Sequence, residues 1–381
     1  MALTTIQSNN KLIQFTKDIN REFIRENLFS PYMSDGLDAV IRRRYEMKSG
    51  GEQMNIPLVS KLNNQPKGVG TLVGNEERVD SYGQRVWLDW ARNAIVTNKA
   101  EQQKDSADLF GEFKPLLSNW GKELQRDEII ASLMALPSES APAGLGSDAG
   151  QRVNGILFES ATTTQKNTWN SDNSDRVLYG AAVSNYSATF ATALSALDTT
   201  ADTFTYTNLS LLKRVAMASS PAIRPYKTSD GYEYYIVFAG MNTFRDLKAS
   251  LVATHTTALQ QTVKDNIIFQ DGDIMWDGII VRQVPEISGF VTDIWTQFKT
   301  AGASATVRTE PVFLCGQQAA AFCWGQMAKP TSRAEDDYGF VTGVGVEMAY
   351  GVSKMFKKHP NTGTPLVQWG VATGFYSSQV D

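Results

Sequence analysis

Between Leu12 and Leu28 the apolar residues fall at Leu12, Phe15, Ile19, Phe23 and Leu28, with Ile24 beside them. Steps of mostly three and four place them in one stripe on a helix. The spacing predicts an amphipathic helix over 11–29, closed by Ser30-Pro31 because proline disfavours helix in the residue before it. A second short helix is expected after Ser34-Asp35-Gly36, through Leu37, Val40 and Ile41. Residues 1–49 read as an N-terminal arm whose stripe lies on something else.

From Gly50 the period changes to two. Met54, Ile56 and Leu58 alternate with polar neighbours, and Val86, Leu88 and Trp90 alternate against Trp87 and Asp89. Between them, Pro66, Gly68, Gly70, Gly74 and Gly83 supply turn chemistry rather than a third strand. The span 50–96 is therefore a long hairpin, with limbs reaching about 40–50 Å at ~3.3 Å per residue. A two-stranded ribbon is marginal by itself, so it is expected to lie across a neighbour. Trp87 and Trp90, on opposite faces of one strand, require cover on both sides.

The helical period returns over 99–136, with Leu109, Phe113, Leu116, Trp120, Leu124 and Ile130 on one side. Such a helix is about 55 Å long at ~1.5 Å per residue, and Pro115 predicts a bend or break near Gly111 to Pro115. Residues 137–175, rich in Ser, Pro, Gly, Asn and Thr, predict an extended loop or insertion. From Val177 to Leu212 only Asp198 and Asp202 are charged, so that span is covered by structure or by another subunit. Beyond it, helices are expected over 208–219, 241–255 and 317–327, and strands over 232–240, 266–270, 277–284, 309–316, 339–356 and 368–377. The whole is α+β, with a mixed second half.

Composition narrows the function classes. The 381 residues carry 36 Lys+Arg against 40 Asp+Glu, a net charge of −4, which gives no strong pull toward nucleic acid or anionic lipid. The only cysteines are Cys315 and Cys323, too few and too far apart for a disulfide scaffold, and a reducing compartment is expected. No apolar run of about 18 residues and no signal-like start are present, so neither a membrane span nor standard export is expected.

Catalytic chemistry is sparse. His255 and His359 are the only histidines, and neither sits in a metal or triad pattern. Gly68, Gly70 and Gly74 lack dinucleotide spacing, and Glu335, Asp336 and Asp337 read as a solvated loop. No metal or cofactor is expected. Arg42, Arg43 and Arg44 form the strongest basic patch, either touching phosphates or a neighbour's carboxylates or standing at a solvated helix end. The mixed signs of Glu76-Glu77-Arg78 suit a salt-bridging contact.

An arm, then a long ribbon, a long helix and a mixed domain, in that order, resembles the tailed-bacteriophage major capsid proteins of HK97-like fold, in the N4-gp56-type branch. GEQMNIPLVSKLNNQPKGVGTLVGNEERVDSYGQRVWLDWARNAI stands where that family has its extended loop, and 99–136 where it has the spine helix. NIIFQDGDIMWDGIIVRQV and DYGFVTGVGVEMAYGVSKMF look like its second half. The resemblance implies an N-terminal arm (1–49), extended loop (50–96), peripheral domain with spine helix and insertion (97–204), axial domain (205–345) and a strand returning to the peripheral domain (346–381). It implies a structural, non-enzymatic subunit made in the host cytoplasm and located in the virion. Its copies would form hexamers and pentamers of an icosahedral shell enclosing double-stranded DNA without reading sequence. Scaffold, portal and decoration proteins are further partners of that class. Candidate contacts between copies are Arg42, Arg43, Arg44, Lys67, Glu76, Glu77, Arg78, Trp87 and Trp90. Some relatives crosslink through Lys and Asn; no such positions match here. The alternatives are a soluble oligomeric enzyme with a pocket in 208–345, and another structural virion protein.

Overall fold

The computed structural model describes residues 28–45, 52–59, 62, 65–77, 81–104, 109–228, 231–252, 273–288, 296–332, 338, 340–358 and 364–378. The expected helix over 11–27, the strand over 266–270, Arg78, both histidines and Glu335 to Asp337 lie outside them. In chain order the strands begin with Met33–Ser34 (β1), Ile41–Tyr45 (β2), Gln53–Val59 (β3), Ser81–Trp87 (β4), Asp89–Asn98 (β5), Val153–Asn154 (β6), Val177–Tyr179 (β7), Tyr226–Lys227 (β8) and Glu233–Ala239 (β9). They continue with Ile274–Trp276 (β10), Ile279–Gln283 (β11), Thr309–Cys315 (β12), Ala320–Ser332 (β13), Val341–Lys354 (β14), Phe356–Lys358 (β15), Leu366–Gln368 (β16) and Val371–Ser377 (β17). The helices are Lys99–Lys104 (α1), Leu109–Met134 (α2), Thr163–Asp172 (α3), Phe190–Ser195 (α4), Tyr206–Ala218 (α5) and Met241–Val252 (α6).

One sheet has the order β1-β2-β13-β14-β5, with β6 added on β14. Its edge strand β5 pairs antiparallel with β14, from Val341 opposite Asn98 to Tyr350 opposite Asp89. The long helix α2 buries Ile129, Ile130, Leu133 and Met134 among Trp324, Met348 and Tyr350 of this sheet. The second sheet has the order β10-β11-β9-β12-β17-β7. Helices α5 and α6 cover one face of it through Leu209, Leu212, Phe244, Leu247 and Leu251. Its other face, with Ile236, Phe238, Phe313 and Phe375, shares one core with the first sheet. The chain passes between the sheets three times: β6 in the first leads to β7 in the second, β12 in the second leads into β13 in the first, and β14 leads back to β17 in the second. Ala320–Ser332 of the expected axial segment thus lies between β2 and β14 in the first sheet, and Val371–Ser377 of the expected returning strand lies beside β12 in the second.

Several local expectations change. Leu37 to Ile41 do not form a helix: Val40 and Ile41 are buried, and Ile41–Tyr45 is a strand parallel to β13. Residues 317–327 also enter a strand instead of a helix, since Ala320 to Trp324 are buried between β2 and β14. An Ala-rich stretch has helical propensity, but a strand buried on both faces shows no period to announce itself. Of the bend or break expected near Gly111 to Pro115, the break does not occur: α2 carries Pro115 inside it. A proline there removes a single hydrogen bond, which a helix of this length packed on a sheet tolerates.

The polar stretch 137–175 contributes to the core. Thr162 and Gln165 form a capping box at the start of α3, with the Thr162 hydroxyl accepting from the Gln165 N–H and the Gln165 side chain accepting from the Thr162 N–H. Trp169 of that helix packs against Phe190 and Phe375. Of the span Val177 to Leu212, Tyr179, Phe190, Ala193, Leu197, Leu209 and Leu212 are buried within the subunit, whereas Val183 is 56% exposed.

Candidate assembly surface

Period-two alternation builds the ribbon, but with shorter limbs than expected: β3 and β4 pair antiparallel over seven residues each, from Gln53 opposite Trp87 to Val59 opposite Ser81, and the chain beyond Leu88 leaves the hairpin to pair with β14 as β5. Its buried side, Met54, Ile56, Leu58 and Val86, seats on Ala321, Cys323 and Met355. At the root, the Leu88 N–H donates to the Glu52 carbonyl at 2.8 Å, so alternation turns the N–H and C=O of Trp87 away from β3. Asn154 meets both of them. Its Oδ1 accepts from the Trp87 N–H at 2.8 Å, and its Nδ2 donates to the Trp87 carbonyl at 3.0 Å. Gln84 adds a second clamp: its Nε2 donates to the Ser353 hydroxyl at 2.8 Å and the Lys354 carbonyl at 2.9 Å, while its Oε1 accepts from the Phe356 N–H at 3.0 Å. Gly351 makes the approach possible, since a Cβ there would stand 2.0 Å from the Trp87 carbonyl oxygen.

The tip, 65–77, shows no comparable clamp among the described residues. Val69, Leu72 and Val73 are exposed, and a Cβ built on Gly68, Gly70 or Gly74 meets nothing within 4 Å. Hydrogen bonds within the tip are local, among them Asn75 N–H to the Leu72 carbonyl and Gly74 N–H to Glu76 Oε2 at 2.7 Å. Gly74, at φ +79, holds the left-handed conformation of a turn.

The candidate contact residues separate into groups. Lys67 and Glu76 are exposed at the tip, and Glu77 is partly buried beside them. Trp87 and Trp90 do not share a strand; β4 ends at Trp87 and β5 begins at Asp89. Trp87 is 9% exposed at the root whereas Trp90 is 51% exposed, so only one of the expected two faces is covered within the subunit. Trp90 borders a cleft of about 540 Å³ with Asp89, Arg92, Asp148 and Glu347. Arg42, Arg43 and Arg44 lie on β2 rather than at a helix end, half-buried at the far side of the same sheet.

Several buried charges join elements of the fold. Arg126 of α2 pairs with Glu123, Asp127 and, at 3.3 Å, the fully buried Glu286. Burial pushes the Asp127 carboxyl up, against the opposing pull of Arg126. Arg152 pairs with Glu128 at 2.7 Å, tying the segment before β6 to α2. Lys354 is buried with its ammonium donating to the Leu133 carbonyl at 3.0 Å and standing over the Trp169 ring. Burial lowers its pKa to about 7. Cys315 and Cys323 are free and buried. Among the described residues no group of three His, Cys, Asp or Glu could hold a metal, and no helix is long and apolar enough to cross a membrane. Sequence reasoning passed over Asn154, Gln84, Gly351 and Lys354; only Gly351, a glycine inside a strand pattern, carried a signal of close backbone approach.

The sequence model of the phage capsid protein family matches residues 4–372. The chain belongs to that family. No curated protein matches it. Among solved structures it is similar to the cyanophage Pam1 capsid asymmetric unit, at 28% identity and a TM-score of 0.83 over 100% of both chains. It is similar also to the capsid of Ralstonia phage GP4, at 19% identity and a TM-score of 0.69 over 100% of this chain and 99% of that one. The head structure of Helicobacter pylori bacteriophage KHP40 follows at 14% identity and a TM-score of 0.63, over 98% and 96%. The fold is therefore the HK97-like capsid fold, and this capsid protein is a structural component of a phage shell.

Proposed function

We propose that this capsid protein builds the icosahedral shell by laying its ribbon, and its N-terminal arm, on neighbouring copies. In this reading the sheet bearing α2 and the ribbon is the peripheral part and the sheet under α5 and α6 the axial part. The observation that carries it is the ribbon tip: a stretch with exposed Val69, Leu72 and Val73 on a root clamped by Asn154 and Gln84. Apolar groups held out from their own subunit are stabilised only when another surface covers them. A ribbon seated on a different patch of the next copy is a heterologous contact, which closes into rings, and rings of six and five close into a shell. A net charge of −4 suits a container that encloses DNA without gripping it, because each neutralised phosphate adds salt-dependent affinity.

Replacing 65–77 with a short Gly-Ser turn tests the reading. The variant is expected to keep its thermal unfolding midpoint but to sediment as free subunits, under conditions where the parent chain forms shells, sheets or capsomers in negative stain. Normal shells from the shortened chain would overturn it.

A further inference from the structure

β2 carries three consecutive arginines, and a strand deals them to two faces. Arg43 stands opposite Phe322 and pairs with Asp35, Nε to Oδ1 at 3.3 Å. Arg42 and Arg44 take the other face, opposite Ala321 and Cys323, the residues on which the ribbon is seated. Neither Arg42 nor Arg44 has a hydrogen bond or ion pair among the described residues, and the Nε of each is buried without an acceptor. Burial, and then Arg44, hold the Arg42 guanidinium below its ordinary pKa. The two lie one strand repeat apart, roughly 7 Å.

Two partly desolvated like charges without a counter-charge are an unfavourable arrangement, because buried donors are normally satisfied and desolvated charges are normally paired. The site is also reachable. β1 pairs only with Ile41 and Arg42, so no described strand covers the edge of β2 beyond them, and both side chains retain some exposure.

We propose that Arg42 and Arg44 form a docking pair for a carboxylate, supplied by Glu76 at the ribbon tip of a neighbouring copy. The inference rests on the reading that ribbons lie on neighbours. Guanidinium groups bind carboxylates through paired, directional hydrogen bonds that a bulk positive field does not provide. Glu76 is exposed beside Leu72 and Val73, and its Oε2 already accepts from Gly74, so the side chain is held before it docks. Charge complementarity then fixes where along the neighbour the apolar tip comes to rest.

A charge swap tests this on the full chain, read by the critical concentration for assembly in sedimentation velocity and by thermal unfolding of the subunit. R42E/R44E is expected to raise the critical concentration roughly 30-fold or more, and E76R to do the same alone. Combining R42E/R44E with E76R is expected to bring it back to within about threefold of the parent. Wild-type assembly by R42E/R44E overturns the proposal, as does a combined variant that fails to recover. Normal assembly with loss of packaged DNA assigns the pair to phosphate and overturns it too. If R42E/R44E does not fold, R42Q/R44Q takes its place, with an expected rise of about tenfold and an unchanged or higher melting temperature. Should shortening 65–77 abolish assembly while the arginine variants assemble normally, this proposal fails and the ribbon reading stands. Should shortening leave assembly intact, the ribbon reading itself has failed.

Discussion

The root and the tip of the ribbon belong to one hairpin, yet they are held by different means. At the root, Trp87 gives its N–H and carbonyl to Asn154, Gln84 bridges to Ser353, Lys354 and Phe356, and four apolar side chains are buried. At the tip, the apolar side chains of Val69, Leu72 and Val73 face outward and the glycines touch nothing. A hairpin is marginal without a surface to lie on: the root has one within its own subunit, and in the proposed reading the tip finds one on a neighbour. Substitutions at the root should therefore register in subunit stability, and those at the tip in assembly.

The largest expected effect is at Gly351. A Cβ there would sit 2.0 Å from the Trp87 carbonyl oxygen, a backbone atom that cannot rotate away. Gly351→Ala must lift the ribbon root from β14, and we expect a loss of about 3 kcal/mol in chemical denaturation of the subunit. Gly70→Ala is the matched control at the tip and should change stability by less than about 0.5 kcal/mol. Asn154→Ala comes next. It strands the N–H and carbonyl of Trp87, and leaving both partners unsatisfied should cost about 2 kcal/mol. An equal effect from Gly70→Ala and Gly351→Ala would erase the distinction between the two ends.

Lys354 gives the root a pH signature. The unfolded chain keeps the lysine proton up to about 10.5, whereas the folded chain releases it near 7. Unfolding takes up a proton across that window, so stability rises as pH rises through it, by at most about 1.4 kcal/mol per unit. Cys315, the titratable neighbour, works in the opposite direction. Burial pushes its thiol above the ordinary 9.0, so stability falls once the unfolded thiol ionises. The window from pH 7 to 9 therefore isolates the lysine. Denaturation midpoints of the subunit should climb over that range, and Lys354→Met should flatten the climb. A slope unchanged by the substitution would place its source elsewhere.

How far the sequence announced this architecture depended on whether local pattern and tertiary pairing agreed. The ribbon limbs, α2, α5, β9, β12 and the strand through Gly351 were legible because alternation, helical stripes or apolar runs matched their final burial. Ala320 to Trp324 were not, because a strand buried between β2 and β14 shows no alternation and its alanines favour helix. The three arginines were legible as a patch but not as a strand, since three charges in a row hide the fact that Ile41 pairs with Ala320. α3 was missed because its sequence is polar, although Thr162 and Gln165 spell a capping box three residues apart. The clamp at Asn154 depends on a contact between residues 67 apart, which no local pattern records.

The smallest expected effect on the subunit is the most informative about the comparison. Replacing Val69, Leu72 and Val73 together by Ser removes exposed apolar surface and no buried contact, because all three are exposed. Surface substitutions of this kind move stability by less than about 0.5 kcal/mol. If neighbours cover these side chains in the shell, as proposed, each buried aliphatic group is worth roughly 1–2 kcal/mol. On that reading the loss recurs at each contact, so the triple variant should melt like the parent and yet fail to form closed particles in negative stain. A variant that melted several degrees lower would show that the tip contributes to its own subunit after all, and the separation of roles between the two ends of the ribbon would collapse.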